Sequence, residues 1–226
     1  MDFGRAFTFS FQDTDWLKKM GIAAVVFLIP VIGSIVLMGW GLEITRRVIN
    51  NEPDMLPDWT DFSGFLQKGF QAFVVSLAYA LPIILIVICG QTATIGIATA
   101  MGNSNSNAAG GIATIVGLCM TCFITILAIV AGFIIPAATG NLAASGELSA
   151  AFRFNEIFGM VRAAPGPYIM VILGIGLANI ILAPLGSLVC GIGLLFAVAY
   201  TTTIGSHLTG QAYNAAKAAL TAAPTM

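Results

Sequence analysis

The stretch MGIAAVVFLIPVIGSIVLMGWGL, residues 20–42, decides how this chain is arranged. As one helix it is long enough to cross a bilayer, which takes roughly 20 apolar residues. As a hairpin it breaks at Pro30 and Gly33 into two short arms, 16–29 and 34–49. Lysine and arginine accumulate on the cytoplasmic side of a membrane, and that bias separates the two readings. The hairpin puts all nine Lys and Arg on one face, whereas a single span puts Arg5, Lys18 and Lys19 opposite the other six. The hairpin is the preferred reading. Its arms are short enough to be partly re-entrant, or to require Lys18 and Lys19 to snorkel.

Working outward, the same logic organises the rest of the chain. Of the 226 residues 58% are hydrophobic and only 8% charged, with a mean hydropathy of +0.95. A water-facing surface needs about a quarter charged residues, so lipid must face most of this one. Charges cluster from Asp2 to Lys19 and from Glu43 to Lys68, and none lies between Lys68 and Glu147. That gap fits two crossings, 70–90 and 112–136, joined by the uncharged polar link GNSNSNAAGG (102–111). The gap after Arg162 fits two more, 168–183 and 188–207, with APLG as the turn between them. AFTF (6–9) and AFRF (151–154) precede the first and last hairpins, either as a weak parallel repeat or as chance similarity between greasy hairpins.

The expected fold is therefore an all-α integral membrane protein. It is a bundle of about six transmembrane helices in three hairpins (16–49, 62–136 and 148–213), with amphipathic interfacial lead-in helices. These form a single transmembrane domain over 1–226, with 214–226 as a short C-terminal tail and both termini cytoplasmic.

The most polar stretch, NNEPDMLPDWTDF (50–62), follows the first hairpin. Pro53 and Pro57 stop helix continuation. Asp58 is expected to N-cap the next helix, with Asp61 at the capping-box position and Trp59 at headgroup level. Phe62, Leu66, Gly69 and Phe73 share one face of that helix, as an amphipathic lead-in would require. A second lead-in carries Leu148, Ala151, Phe154, Phe158 and Val161 at helical spacing and ends at PGPY. The acids of the loop can pair with Arg46, Arg47, Arg153 or Arg162. Pro57, Asp58, Trp59, Asp61, Arg46 and Arg47 thus form a candidate cytoplasmic loop, read either as capping and anchoring or as a docking surface.

Three blocks, LPDWTDF (56–62), AFRFNEI (151–157) and HLTGQAY (207–213), resemble an uncharacterised prokaryotic family of multi-pass membrane proteins, a domain of unknown function. The resemblance implies a helical bundle in the prokaryotic cell (inner or plasma) membrane and carries no activity.

Chemical signals are weak by comparison. CMTC (119–122) has CxxC spacing, but a zinc site needs four ligands, and packing of small apolar cysteines against neighbouring helices explains it better. His207 is expected near a helix C-terminus, where it would interact with the dipole. GIG at Gly174 and Gly191 lacks the strand and third glycine of a dinucleotide fingerprint. Gly174 with Ala178, Ser187 with Gly191 and Ala128 with Gly132 are spaced for close helix packing. Thr114, Thr121 and Thr125 either line a small cavity or bond between helices. No acid or base falls mid-span, which weighs against ion-coupled transport.

The sequence thus calls for no catalytic residue, metal or cofactor. Its expected partners are the lipid bilayer, and other membrane subunits or copies of itself, with no nucleic acid. The leading function is a non-enzymatic structural or accessory subunit or self-associating module. The alternative is a permease or channel-like carrier of a small neutral or lipidic solute.

Overall fold

The computed structural model describes residues 1–54, 56–101, 106–188 and 191–222. Among them every regular element is helical. α1 (Phe3–Thr8) leads through a 3-10 turn (Phe9–Gln12) into α2 (Trp16–Phe27) and α3 (Ile32–Ile49). Two long helices follow, α4 (Phe62–Met101) and α5 (Ser106–Ser145). A 3-10 turn (Leu148–Phe152), α6 (Phe154–Ala163), α7 (Pro165–Leu188) and α8 (Ile192–Ala222) complete the chain.

The deciding stretch folds as two helices. Pro30 ends the first arm, and Val31 turns the chain with φ of 65°, a conformation a β-branched residue adopts only under constraint. Gly33 then packs on the backbone of Val26, where a Cβ would lie 2.0 Å from the carbonyl oxygen. α2 has 12 residues and is about 18 Å long, well short of the roughly 30 Å hydrocarbon core.

Among the described residues, four helices are long and apolar enough to cross a membrane: α4, α5, α7 and α8. α2 and α3 are not among them, so length and composition support four of the six expected spans.

Several boundaries differ from the expected ones. α4 and α5 run on to 40 residues each, through Pro82 and Pro136. Of the GNSNSNAAGG link, 102–105 lie outside the described residues and the remainder begins α5. APLG is not the turn. Pro184 sits inside α7, which continues to Leu188, and Gly191 has φ of 82°. Proline inside an apolar helix is tolerated when the surroundings absorb the hydrogen bond it removes; one turn further on, the Ser187 hydroxyl donates to Pro184 O at 2.7 Å. α8 continues through 214–222, because the alanine-rich NAAKAAL favours helix. The second lead-in is two pieces, split at Arg153. It buries Ile157 and Met160 while Phe154 and Phe158 face outward.

The chain divides into two compact units, Met1–Val75 with Phe133–Met226, and Ser76–Gly132. In the first, α8 is central and contacts α7, α3, α2, α6 and α1. α3 crosses the start of α4 so closely that a Cβ on Gly39 would lie 1.8 Å from Phe65 O, and one on Gly69 the same distance from Ile35 O. Around this crossing the core gathers Trp40, Ile44, Val36, Leu56 and Phe65.

The second unit comprises the adjoining parts of α4 and α5, with Leu85, Ile88, Leu118 and Ile126 exposed. Cys119 and Cys122 are also exposed, so they do not pack against neighbouring helices as expected. Thr121 and Thr125 bond back to Gly117 O at 2.8 Å and Thr121 O at 2.7 Å, within their own helix. Hydroxyls satisfied this way suit an apolar medium that offers no other partner.

Candidate functional site

The acidic loop begins where α3 ends. Asn51 takes φ of 55°, which asparagine tolerates, and Glu52 N donates to Arg47 O at 2.9 Å. The turn brings Glu52 back over the last turn of α3. There its carboxylate lies 3.1 Å from Arg46 Nη1 and 3.8 Å from Arg47 Nε. Arg47 Nη1 also donates to Asp54 O at 2.8 Å. The expected pairing of loop acids with Arg46 and Arg47 is present. Arg153 instead turns to Glu147 and Glu156, at 3.8 and 3.9 Å.

Behind these arginines lies Glu43, only 5% exposed. Arg46 grips it with two bonds, Nη2 at 2.6 Å and Nε at 3.0 Å. Arg47 Nε adds a third at 3.3 Å, and Lys68 Nζ reaches it from α4 at 2.8 Å. Burial pushes the Glu43 carboxyl up, but the bonds and charges of Arg46 and Lys68 outweigh it and hold the pKa down at about 2. A cavity of about 310 Å³ adjoins this cluster, bordered also by Asp61, Gln67 and Gln71.

A second clamp closes on LPDW. Leu56 is buried, and its carbonyl accepts from Lys19 Nζ at 3.0 Å. Trp40 Nε1 donates to Pro57 O at 3.1 Å, and Trp59 Nε1 to Lys19 O at 2.9 Å. The two indoles stack at 5.4 Å and 18°, with Phe65 edge-on to Trp59 at 5.6 Å. Lys19, 8% exposed, also binds Asp13 at 2.7 Å and Asp58 at 3.1 Å. Burial works against the charged lysine, yet the two carboxylates prevail and raise its pKa.

This geometry corrects one expected role. Asp58 is not the N-cap; α4 starts at Phe62, and Asp61 caps it by accepting from Gly64 N at 2.9 Å. A cap must directly precede the first helical residue, and the Trp59 slot holds 58–60 out of the helix. The Trp59 ring stacks on Trp40, and its N–H is spent on Lys19 O. Sequence spacing missed Lys19, Asp13, Glu43, Trp40 and Lys68 as partners of the loop. The available signal was chemical: charges bordering apolar arms must find counter-charges.

HLTGQAY also takes a different place. His207 lies within α8 rather than at its end, and is 1% exposed. Its ring stacks on Phe9 at 4.4 Å. Gln211 Oε1 accepts from Asp2 N at 2.7 Å while its Nε2 donates to Asp2 O at 3.0 Å, which fixes the amide's orientation. Nε2 therefore also donates to His207 Nδ1 at 2.9 Å, and the ring hydrogen belongs on His207 Nε2. The block ties α1 to α8.

The profile of DUF4013, a protein family of unknown function, matches residues 22–191. The chain belongs to the DUF4013 family. In this DUF4013 member the matched region holds the Glu43 cluster, the acidic loop, LPDWTDF and AFRFNEI, while Lys19, Asp13 and HLTGQAY fall outside it. No curated protein and no solved structure matches the chain.

Proposed function

We propose that this DUF4013 protein is a non-enzymatic multi-pass membrane protein, serving as a structural or accessory subunit or as a self-associating module. The observation that carries the reading is the use made of the loop's polar groups. Asp58, Glu52, Arg46 and Arg47 are all engaged in pairs within the chain, and Asp61 caps a helix. Side chains bound up in this way brace the chain's own fold, which suits a structural role. A permease or carrier is the second reading, favoured by an apolar cavity of about 290 Å³ beside Trp16, Leu182, Phe196 and Tyr200. Purification in mild detergent separates the two. Stoichiometric protein partners or a defined homo-oligomer support the subunit; a monomer holding a stoichiometric small solute supports the carrier.

The proposed topology has four crossings, α4, α5, α7 and α8, with α2–α3 entering and leaving on one side as a re-entrant hairpin. All nine Lys and Arg then lie on that side, which the charge bias identifies as cytoplasmic. The setting is a prokaryotic cell membrane. In a background without native cysteines, cysteines placed at Thr8 and Asn51 label from the same side. A cysteine at Ser104, which lies outside the described residues, labels from the other. Opposite sides for Thr8 and Asn51 restore a single span over 20–42 and sink the re-entrant hairpin.

A further inference from the structure

The first turn of α2 borders a cavity of about 320 Å³ that the clamp does not fill. Asp15, Lys18, Lys19, Asp58, Trp59 and Thr60 line it. Lys19 and Asp58 are bound to each other, but Lys18 and the Asp15 carboxylate form no ion pair among the described residues. Both are exposed, and they bring one positive and one negative group to the same opening.

Around the helix from this polar mouth, on residues that do not line the cavity, α2 presents an apolar track. Leu17, Val25 and Leu28 are 61%, 64% and 61% exposed. With Gly21 they recur at i, i+4, i+8 and i+11, which places them along one side of the helix. Gly21 leaves a notch in the middle of the track, where an added Cβ would meet nothing within 4 Å. Charged groups of both signs at one end of an exposed apolar track match a molecule with a zwitterionic head and a long tail.

We propose that this cavity and track seat one zwitterionic phospholipid. Lys18 takes the phosphate as a point charge. Asp15 takes the headgroup ammonium, with the Trp59 ring as a cation–π neighbour. One acyl chain lies along Leu17, the Gly21 notch, Val25 and Leu28, toward the apolar tip of the hairpin. The seat requires only that the chain reside in a bilayer, so it stands whether the protein is a subunit or a carrier.

The full-length protein is reconstituted with phosphatidylethanolamine and analysed by native mass spectrometry. Wild type retains one phospholipid. Lys18→Glu, which reverses the phosphate contact, and Gly21→Trp, which fills the notch, each lower retention by about tenfold, equal to about 1.4 kcal/mol. Lys18→Arg retains the lipid, so a loss specific to Lys18→Glu is a charge effect rather than misfolding. Unchanged retention in both Lys18→Glu and Gly21→Trp overturns the proposal. Equal retention of diacylglycerol, which lacks the head, overturns it as well. Displacement of the lipid by soluble glycerophosphoethanolamine would reassign the site to a free zwitterion.

Discussion

Glu43 in the first unit is wrapped by three cations, whereas Thr121 in Ser76–Gly132 bonds only to its own helix. That contrast runs through both units. One is held by long-range polar contacts around buried charges. In the other, Thr92, Thr94, Thr99, Thr121 and Thr125 bond back to carbonyls of their own helix, and apolar side chains such as Leu85 and Leu118 turn outward. An apolar medium between helices supplies little hydrophobic drive for them to associate, so specificity must come from packing and polar contacts. The first unit has these in quantity.

The largest expected effects therefore fall on the Glu43 cluster. Glu43→Ala leaves Arg46, Arg47 and Lys68 without their shared carboxylate and should cost about 3–5 kcal/mol, as breaking a buried pair does. Leu85→Ala, at an exposed site in the other unit, should change thermal stability in detergent by only about 0.5 kcal/mol or less. Equal losses would erase the contrast. The same carboxylate makes stability depend on acid. Its folded pKa of about 2 lies below the ordinary 4.5, so its contribution is present above pH 4.5 and is lost as pH falls toward 2. At about 1.4 kcal/mol per pH unit, that contribution is about 3 kcal/mol. Glu43→Gln should flatten unfolding curves recorded between pH 5 and 2; an unchanged acid transition would move its origin to other carboxylates. For Lys19 the sign reverses. Its raised pKa gives stability that is present below pH 10.5 and lost as pH climbs past the folded value.

What could be read from sequence follows the same division. The long charge-free gaps revealed the four apolar helices, because hydropathy is a local property and bilayer thickness a fixed length. The break at Pro30 and Gly33 was also visible, since backbone chemistry marks it. The clamps were not. Trp59 meets Lys19 across 40 positions and Trp40 meets Pro57 across 17, and nothing in local spacing links them. Asp58 looked like the cap, with Asp61 at the capping-box position. Only the stacking of Trp59 on Trp40 shows why the helix waits until Phe62. APLG misled for a related reason: a proline two residues before a glycine reads as a turn in water, while within α7 the helix absorbs it.

A sharper test of how the first unit is stitched sets these two aspartates against each other. Asp61→Ala removes the acceptor for Gly64 N and should cost about 0.5–2 kcal/mol, with Asp61→Ser or Asp61→Asn recovering most of it. Asp58→Ala removes one partner of Lys19 but leaves Asp13, and the Asp58 side chain is 70% exposed, so the loss should stay below about 1 kcal/mol. Thermal unfolding of the four variants decides it. A larger loss at Asp58 would return the cap to that residue.

The most direct probe of the second unit is a substitution expected to stabilise rather than weaken. Gly117 lies inside α5, and a Cβ built there meets nothing within 4 Å. If that surface faces lipid alone, Gly117→Ala adds a methyl without a clash. It also removes the backbone freedom that makes glycine a poor helix former, a gain of up to about 1 kcal/mol. If Ser76–Gly132 instead packs closely on a second copy or another subunit, the methyl intrudes on an interface and the oligomer or complex weakens. Gly39→Ala serves as the positive control, because its Cβ would lie 1.8 Å from Phe65 O and must force α3 and α4 apart. Unfolding temperature and oligomeric state, measured on both variants, then separate the outcomes. Unchanged or raised stability with unchanged assembly leaves this face of α5 to lipid. Loss of assembly with the monomer's stability intact makes it the contact surface of the proposed subunit.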